Sequence, residues 1–119
     1  MKKILVVDDN FDNRNIIAQM LRLSGFLVVV AGDGIQAIEL TERETPDLIL
    51  MDLSMPRLDG WSATAQIKAR PELAHVPVIA VTGHATRDDI ERALNAGCRD
   101  YLIKPIDMDA MLSKVYGVF

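Results

Sequence analysis

Short apolar runs alternate with segments of helical spacing along the whole chain. The runs lie at residues 3–8, 26–30, 48–51, 76–82 and 100–103. Unbroken runs of this length that are rich in Val, Ile and Leu are typical of strands buried on both faces of a sheet. We therefore predict five buried strands.

The segments between the strands repeat apolar residues at helical spacing. Helices are predicted over residues 11–24, from Asp33-Gly34 to Thr45-Pro46, from Gly60 to about Ala69, from Thr86 to Gly97, and from about Asp107 onward. The predicted inward faces are Asn13, Ile16, Ile17, Met20 and Leu21; Ile35, Ala37, Ile38 and Thr41; Trp61, Thr64, Ala65 and Lys68; Ile90, Ala93 and Leu94; and Met108, Met111, Leu112 and Val115.

Five strands that alternate with five helices through short loops require parallel strands, right-handed crossovers and helices on both faces of the sheet. The predicted fold class is therefore α/β, a three-layer doubly wound (βα)5 sandwich. The second strand ends in Val30-Ala31 without a polar side chain, which suits an edge strand. This favours the flavodoxin-like strand order 2-1-3-4-5.

Composition narrows the possible functions. With 119 residues, the chain fits one domain, residues 1–119, and is too short for a separate output module. The net charge is −4 with scattered basic residues, so direct nucleic-acid binding is not expected. No apolar run approaches the roughly 20 residues of a membrane span. Cys98 is the only cysteine, which excludes an internal disulfide, and we expect a cytoplasmic protein without a membrane contact.

Polar residues stand at the carboxyl ends of four predicted strands, namely Asp8 with Asp9, then Asp52, Thr82 and Lys104. These ends meet at one edge of a parallel sheet, where α/β proteins bind ligands. Crowded carboxylates repel one another and need a cation. Their hard oxygens favour Mg²⁺, with Mn²⁺ as the alternative.

Four spaced motifs carry a resemblance to a known family. They are Val-Asp-Asp-Asn at 7–10, Asp-Leu-Ser-Met-Pro-Arg-Leu-Asp-Gly at 52–60, Thr82, and Gly-Cys-Arg-Asp-Tyr-Leu-Ile-Lys-Pro at 97–105. With these motifs, the chain resembles the receiver domain of two-component response regulators, the CheY-like family. The resemblance extends from Lys3 to the last helix.

The resemblance implies a role for each matching acid. Asp52 matches the phospho-acceptor, which takes a phosphoryl group from a phosphohistidine. Asp9 matches the direct metal ligand, and Asp8 matches the acid that holds metal-bound water. Ser54 matches the position whose backbone carbonyl binds the metal. Asp52 is itself part of the implied set of metal ligands.

The same resemblance implies roles for the later motifs. Thr82 matches the hydroxyl that binds a phosphoryl oxygen, and Lys104 matches the ammonium that pairs with it. Lys104-Pro105 matches a cis peptide bond of the family. Thr82 and Tyr101 match the switch residues, so that Tyr101 is expected to rotate inward after phosphorylation.

The implied function is a phosphorylation-controlled switch and not a dedicated enzyme, with Mg²⁺-dependent self-phosphorylation from small donors and slow loss of the phosphoryl group. Its implied partners are a sensor histidine kinase or histidine phosphotransfer protein and a downstream protein. The downstream protein is expected on the face of the fourth helix, fifth strand and fifth helix, where we predict an apolar contact at Ile103. A monomer and a phosphorylation-dependent dimer both remain open.

Other classes fit the residues less well. A small Mg²⁺-dependent phosphohydrolase with an aspartyl nucleophile is the main alternative. Enzymes of the haloacid dehalogenase type, however, carry Asp-x-Asp after the first strand. This chain has two adjacent acids there, Asp8 and Asp9, and lacks the length for a substrate-selecting cap. A flavodoxin-like cofactor binder lacks support because no Ser/Thr/Gly-rich phosphate loop follows the first strand. A degenerate receiver is opposed by the complete acid set.

Four further residues allow weaker inferences. Gly60 and Gly83 fit close backbone approaches. His84 follows the phosphoryl-binding Thr82 closely enough to influence access of water, although a loop histidine without a role is the simpler interpretation. Cys98 is expected to pack as a small apolar residue.

Overall fold

The computed structural model describes residues 1–55, 57–83 and 86–119. The strands are β1 Lys3–Val7, β2 Leu27–Ala31, β3 Leu48–Asp52, β4 Val78–Thr82 and β5 Asp100–Ile103. The helices are α1 Phe11–Leu23, α2 Gly34–Glu44, α3 Gly60–Lys68, α4 Arg87–Ala96 and α5 Met108–Val118. None of these helices is long and apolar enough to cross a membrane, as judged over the described residues.

The strands form one parallel sheet in the order β2-β1-β3-β4-β5. The central β3 pairs with β1 on one side and with β4 on the other, and because the three strands are parallel, their carboxyl ends lie at the same edge of the sheet. This arrangement confirms the predicted fold class and strand order.

Side-chain alternation along each strand divides the core between the two faces of the sheet. Leu5 and Val7 of β1 belong to a cluster that includes side chains of α2, α3 and α4. Ile4 and Val6 belong to a second cluster, which includes side chains of α1 and α5. The result is three layers, with two helices on one face and three on the other.

Each helix begins at a side chain that accepts a backbone N–H of the first turn. The capping residues are Asn10, Asp33, Asp59, Thr86 and Asp107. Such caps satisfy donors that the helix itself leaves unpaired. These caps therefore fix the residue at which each helix begins after the preceding strand.

Two predicted strand starts were wrong by one or two residues, and the ends of β1, β2 and β3 each differ from the prediction by one residue. Phe26 precedes β2, because its N–H donates to the carbonyl of Leu21 and closes the end of α1. β4 begins at Val78 and not at residue 76, because Val76 donates to Leu73 in a turn and Pro77 has no N–H to contribute.

The predicted inward faces of several helices were correct only in part. Ile17, Ile38 and Ala93 are buried as predicted, whereas Ile16, Ile35 and Leu94, which were also predicted to face inward, are exposed. The inward face of α3 consists of Ala63, Thr64 and Ile67, and Ala65 is exposed. Apolar spacing leaves the rotation of a helix open when two adjacent positions are both apolar, and contact with the sheet decides between them.

Candidate functional site

Strand register brings the predicted site residues to one edge of the sheet. Val7 pairs with Met51, so Asp8 and Asp52 occupy the next position on adjacent strands. On the other side of β3, Asp52 pairs with Val81, and Thr82 follows. Thr82 pairs with Ile103, and the backbone N–H of Lys104 donates to the Thr82 carbonyl at 2.8 Å.

Three carboxylates gather at this edge. Each of Asp8, Asp9 and Asp52 places one oxygen so that the three oxygens lie within 4.8 Å of one another. Asp8 and Asp52 are buried, and Asp9 is exposed. Oδ1 of Asp8 also accepts the backbone N–H of Asn10 at 2.9 Å. Two buried carboxylates and one exposed carboxylate thus form a cluster of hard oxygen donors, which suits a divalent cation.

Lys104 brings a positive charge to the buried acids. Its Nζ lies 3.2 Å from Oδ2 of Asp52 and 3.6 Å from Oδ2 of Asp8. The peptide bond from Lys104 to Pro105 is cis. The ammonium thus stands beside the oxygen of Asp52 and balances part of the crowded negative charge.

The pKa of Asp52 is raised from 3.8 to about 6. Burial is the largest cause, and the charge of Asp8 adds to it; Lys104 and the backbone N–H of Ser54 act in the opposite direction. At neutral pH the carboxylate is therefore ionised more often than protonated. An ionised but poorly solvated carboxylate is suited to act as a nucleophile.

Gly60 allows α3 to begin directly against the backbone of Asp52. A Cβ at Gly60 would lie 2.2 Å from the Asp52 carbonyl oxygen and 2.7 Å from Cα of Leu53. The N–H of Gly60 donates to the Leu53 carbonyl at 3.0 Å, and that of Ser54 donates to Oδ1 of Asp52 at 3.2 Å. These contacts fix the chain just after Asp52.

Thr82 and Tyr101 lie on the same face of the sheet. Strand alternation places both toward α2, α3 and α4, where Tyr101 packs against the core. Thr82 is buried, whereas Tyr101 is partly buried. Lys114 of α5 donates to the Tyr101 carbonyl at 2.6 Å, and its Nζ lies 4.9 Å from the centre of the ring.

Comparison with known proteins identifies the family. A family model described as the response regulator receiver domain matches residues 4–116. The chain belongs to this receiver family. The polar-differentiation response regulator DivK of Brucella anthropi is similar to this receiver domain, with 35% identity over 114 residues, which cover 96% of the chain and 93% of the relative.

Solved structures extend the comparison. The receiver domain of the sensor histidine kinase PA1611 from Pseudomonas aeruginosa is 45% identical, with a TM-score of 0.86 and coverage of 96% of this chain and 93% of that one. It holds a magnesium ion in its active site cleft. The chemotaxis protein CheY4 of Vibrio cholerae shares the fold, with a TM-score of 0.95 at 24% identity, covering 100% of this chain and 99% of that one.

These findings confirm that this receiver domain is a phosphorylation-controlled switch, and they do not favour the phosphohydrolase alternative. Members of the family bind Mg²⁺ at the acidic cluster, and the oxygens of Asp8, Asp9 and Asp52 supply such a cluster here. Receiver domains interact with histidine kinases or phosphotransfer proteins and with downstream targets.

The weaker sequence inferences had mixed outcomes. Cys98 is buried and lies 3.8 Å from the Thr64 hydroxyl. Gly83 was wrongly predicted to allow a close backbone approach, because a Cβ there meets nothing within 4 Å in the described part of the receiver domain. The prediction for His84 falls outside the described residues.

Sequence reasoning missed two cations near the site. Arg14 follows the acids by one helical turn, and Lys114 contacts Tyr101 from α5. Both lie on helices at positions that a hydrophobic pattern assigns to the surface. A long side chain can reach back from such a position, and no periodic signal records that reach.

Proposed function

We propose that Asp52 accepts a phosphoryl group from a phosphohistidine of a sensor kinase or phosphotransfer protein. The observation that carries this proposal is the buried Asp52 carboxylate, which stands 3.2 Å from the Lys104 ammonium within the acidic cluster. A buried acid between a cation and two further acids is costly to maintain for stability alone.

The reaction is an in-line displacement. A carboxylate oxygen of Asp52 attacks phosphorus, a P–O bond forms, and the P–N bond to the donor imidazole breaks. The imidazole nitrogen keeps the electron pair of the broken bond. Lys104 and the Thr82 hydroxyl stabilise the negative charge on the phosphoryl oxygens, which is the main requirement of phosphoryl transfer.

Asp8, Asp9, Asp52 and the backbone carbonyl of Ser54 are the proposed metal ligands. The clustered carboxylate oxygens fit Mg²⁺, and Mn²⁺ suits the same donor set. When bound, the ion neutralises charge on the phosphoryl oxygens. With such an ion held by these residues, we would expect self-phosphorylation of Asp52 from small donors such as acetyl phosphate, and slow hydrolysis would return the switch to its resting state.

The conformational response is proposed to pass from Thr82 to Tyr101. Ala80 pairs with Tyr101 in the register, so Thr82 stands two residues further along the same face. A shift of Thr82 toward the phosphoryl group would leave space on that face, and the partly buried Tyr101 ring is placed to fill it. The inward rotation would alter the surface of α4, β5 and α5, where Ile103 is 46% exposed.

A groove that opens beside Asp8 and Lys104 is the proposed docking place of the donor protein. It has a volume of about 450 Å³ and is lined by Asp8, Asn13, Ile16, Ile17, Lys104, Pro105, Ile106 and Met108. Its mostly apolar walls suit a protein surface that carries the phosphohistidine. A cytoplasmic location, consistent with the single buried Cys98, is part of the same proposal.

Acetyl phosphate and Mg²⁺ test the acceptor directly. The parent protein is expected to gain the mass of one phosphoryl group by intact mass spectrometry, and Asp52→Asn is expected to gain none. Beryllofluoride binding, followed by NMR, detects the same site if hydrolysis outpaces the mass measurement. Modification of Asp52→Asn to the level of the parent, or a parent that responds to neither reagent, would reject the proposal.

A further inference from the structure

Arg14 folds back from the first turn of α1 onto the end of β1. Its Nη1 donates to the backbone carbonyl of Asp8 at 3.4 Å. The same Nη1 lies 3.0 Å from the place that a Cβ of Gly32 would occupy, and Cζ lies 5.4 Å from the centre of the Phe11 ring. The guanidinium therefore fills the space between the ends of β1 and β2, next to the acids.

This arrangement is a poor one for stability. The Nε–H of Arg14 is buried, and no described residue accepts its proton. Within residues 1–55, 57–83 and 86–119, no carboxylate forms a salt bridge with the guanidinium. A buried N–H without an acceptor typically costs about 1–3 kcal/mol. Such a cost in a folded protein calls for a functional explanation.

The contact with Asp8 supplies that explanation. A guanidinium that paired with the Asp8 or Asp9 carboxylate would compete with a metal ion for the same oxygens. Arg14 instead binds the main chain of Asp8 and occupies no oxygen of either carboxylate. Oδ1 of Asp8 is held separately by the N–H of Asn10.

We propose that Arg14 is a positioning residue for metal binding, which fixes the backbone between Asp8 and Asp9 so that their carboxylates meet Asp52. This inference rests on the proposed function. It also assigns to the first turn of α1 a part in tuning the affinity for the ion, since groups that orient metal ligands commonly change metal affinity by about 10–100-fold.

Arg22 provides a matched control on the same helix. Its Nη2 donates to the backbone carbonyl of Val28 at 3.2 Å, so it too joins α1 to a strand through a carbonyl. This contact lies in the last turn of α1, away from the carboxyl ends of the strands. Arg14→Met and Arg22→Met remove the same charge and the same type of contact, and only the first lies beside the acids.

The test is a titration with Mg²⁺ alone, followed by isothermal calorimetry and by the shift in thermal midpoint. Arg14→Met is expected to bind Mg²⁺ about tenfold more weakly than the parent. Arg14→Lys should recover part of the loss, because a lysine can still donate to one carbonyl. Arg22→Met should bind Mg²⁺ as the parent does.

A second variant keeps the test independent of the lost charge. In Gly32→Ala, the new methyl group presses on Nη1 and should push it by a few tenths of an ångström, which is enough to weaken its long hydrogen bond to the Asp8 carbonyl. We expect Gly32→Ala to weaken Mg²⁺ binding in the parent and to have no further effect in Arg14→Met, since coupled residues give non-additive changes.

Unchanged Mg²⁺ affinity in Arg14→Met overturns the proposal, as does an equal loss in Arg22→Met or additive losses in the double variant. The readout separates this failure from that of the proposed function. If Asp52 accepted no phosphoryl group while Arg14→Met still weakened Mg²⁺ binding, the acceptor assignment would fail and the role of Arg14 would stand.

Discussion

The Nζ of Lys104 lies 3.2 Å from Oδ2 of Asp52, although 52 positions separate the two residues in the chain. The pairing follows from the topology, because both residues stand at the carboxyl ends of strands in one parallel sheet. Asp52 carries the proposed nucleophile, and Lys104 carries the charge that the phosphoryl oxygens need. We therefore expect that removing the charge of Lys104 slows phosphoryl acceptance, and that removing the charge of Asp52 changes the pH dependence of the stability.

Lys104→Met should accept a phosphoryl group from acetyl phosphate far more slowly than the parent. Removing one group that stabilises developing charge typically lowers a rate by about 10²–10³-fold. Lys104→Arg should lie between the two proteins, because it keeps the charge but not the compact ammonium. Lys3→Met is the control. Lys3 pairs with Glu44 at 3.4 Å, and it lies at the start of β1, whereas the acids follow the end of this strand. Equal rates in Lys104→Met and Lys3→Met would contradict the role of Lys104.

In the metal-free protein, titration of Asp52 should make the free energy of unfolding depend on pH. The pKa of Asp52 is raised from 3.8 to about 6, so the folded state holds the proton more tightly than the unfolded state. The resulting stabilisation is present in full below pH 3.8 and is lost as the pH rises through about 6. Asp52→Asn removes this dependence. In urea with a chelator, it should be more stable than the parent by about 1–3 kcal/mol near pH 8, and less so near pH 4.

Asp100→Asn offers a control of opposite sign. Burial of Asp100 raises its pKa, but Lys114, 2.9 Å away, and other partners outweigh this effect and leave the pKa below 3.8. The stabilisation from Asp100 is present above pH 3.8 and is lost as the pH falls through the lower folded value. Asp100→Asn should therefore be less stable than the parent near neutral pH. If both variants moved in the same direction, the electrostatic explanation for Asp52 would be wrong.

The sequence predicted the sheet and its strand order because strand signals are local and strong. Apolar runs marked the five strands, and the lack of a polar end on β2 indicated an edge position. The acids and Lys104 were predictable for the same reason, since a parallel sheet brings the carboxyl ends of its strands together. Their individual roles at the site stay predictions.

Side-chain reach and helix rotation were beyond the sequence. Ile16 and Ile17 were both predicted to face inward, and only the packing of the helix against the sheet shows that Ile16 is exposed while Ile17 is buried. Arg14 contacts the backbone carbonyl of Asp8, just after β1, and Lys114 contacts that of Tyr101 in β5. Those contacts depend on rotamers and on the distance between helix and sheet, which residue spacing does not determine.

Gly60→Ala should destabilise the protein strongly, because the new methyl group would lie 2.2 Å from the Asp52 carbonyl oxygen. Overpacking against backbone typically costs about 1–3 kcal/mol, and the start of α3 would have to move away from Asp52. Chemical denaturation measures the loss, and acetyl phosphate labelling should slow in parallel. Gly117→Ala, in α5, is the control, since a Cβ at Gly117 meets nothing within 4 Å among the described residues. Because Gly117 is the penultimate residue of α5, Gly117→Ala should stabilise the helix by at most about 0.5 kcal/mol. A harmless Gly60→Ala would contradict the close approach.

Arg92 should influence the fluorescence of Trp61, the only tryptophan of the chain. Its Cζ lies 4.1 Å from the centre of the Trp61 ring, and Trp61 Nε1 donates to the Asp89 carbonyl at 3.4 Å. Arg92→Met should shift the emission of Trp61 and lower stability by about 0.5–1 kcal/mol. Arg87→Met is matched on the same helix, where Arg87 is 91% exposed and pairs only with Glu91 among the described residues. Identical emission spectra for Arg92→Met and the parent would argue against the stacked contact.

Lys114 should restrain the proposed rotation of Tyr101. Its Nζ lies 4.9 Å from the centre of the ring, a contact that the inward rotation would give up. A cation–π contact of this kind is worth about 0.5–1 kcal/mol, so Lys114→Met should raise the ratio of inward to outward ring about two- to fivefold without phosphorylation. NMR of a labelled Tyr101 ring, with and without beryllofluoride, measures that ratio. Lys2→Met is the control, because Lys2 makes a similar contact with Phe119, 5.5 Å away, outside the switch region. If beryllofluoride left the ring signals of Tyr101 unmoved in the parent, the switch would need another residue. If the ring responded in the parent but not more readily in Lys114→Met, the restraint by Lys114 would be wrong.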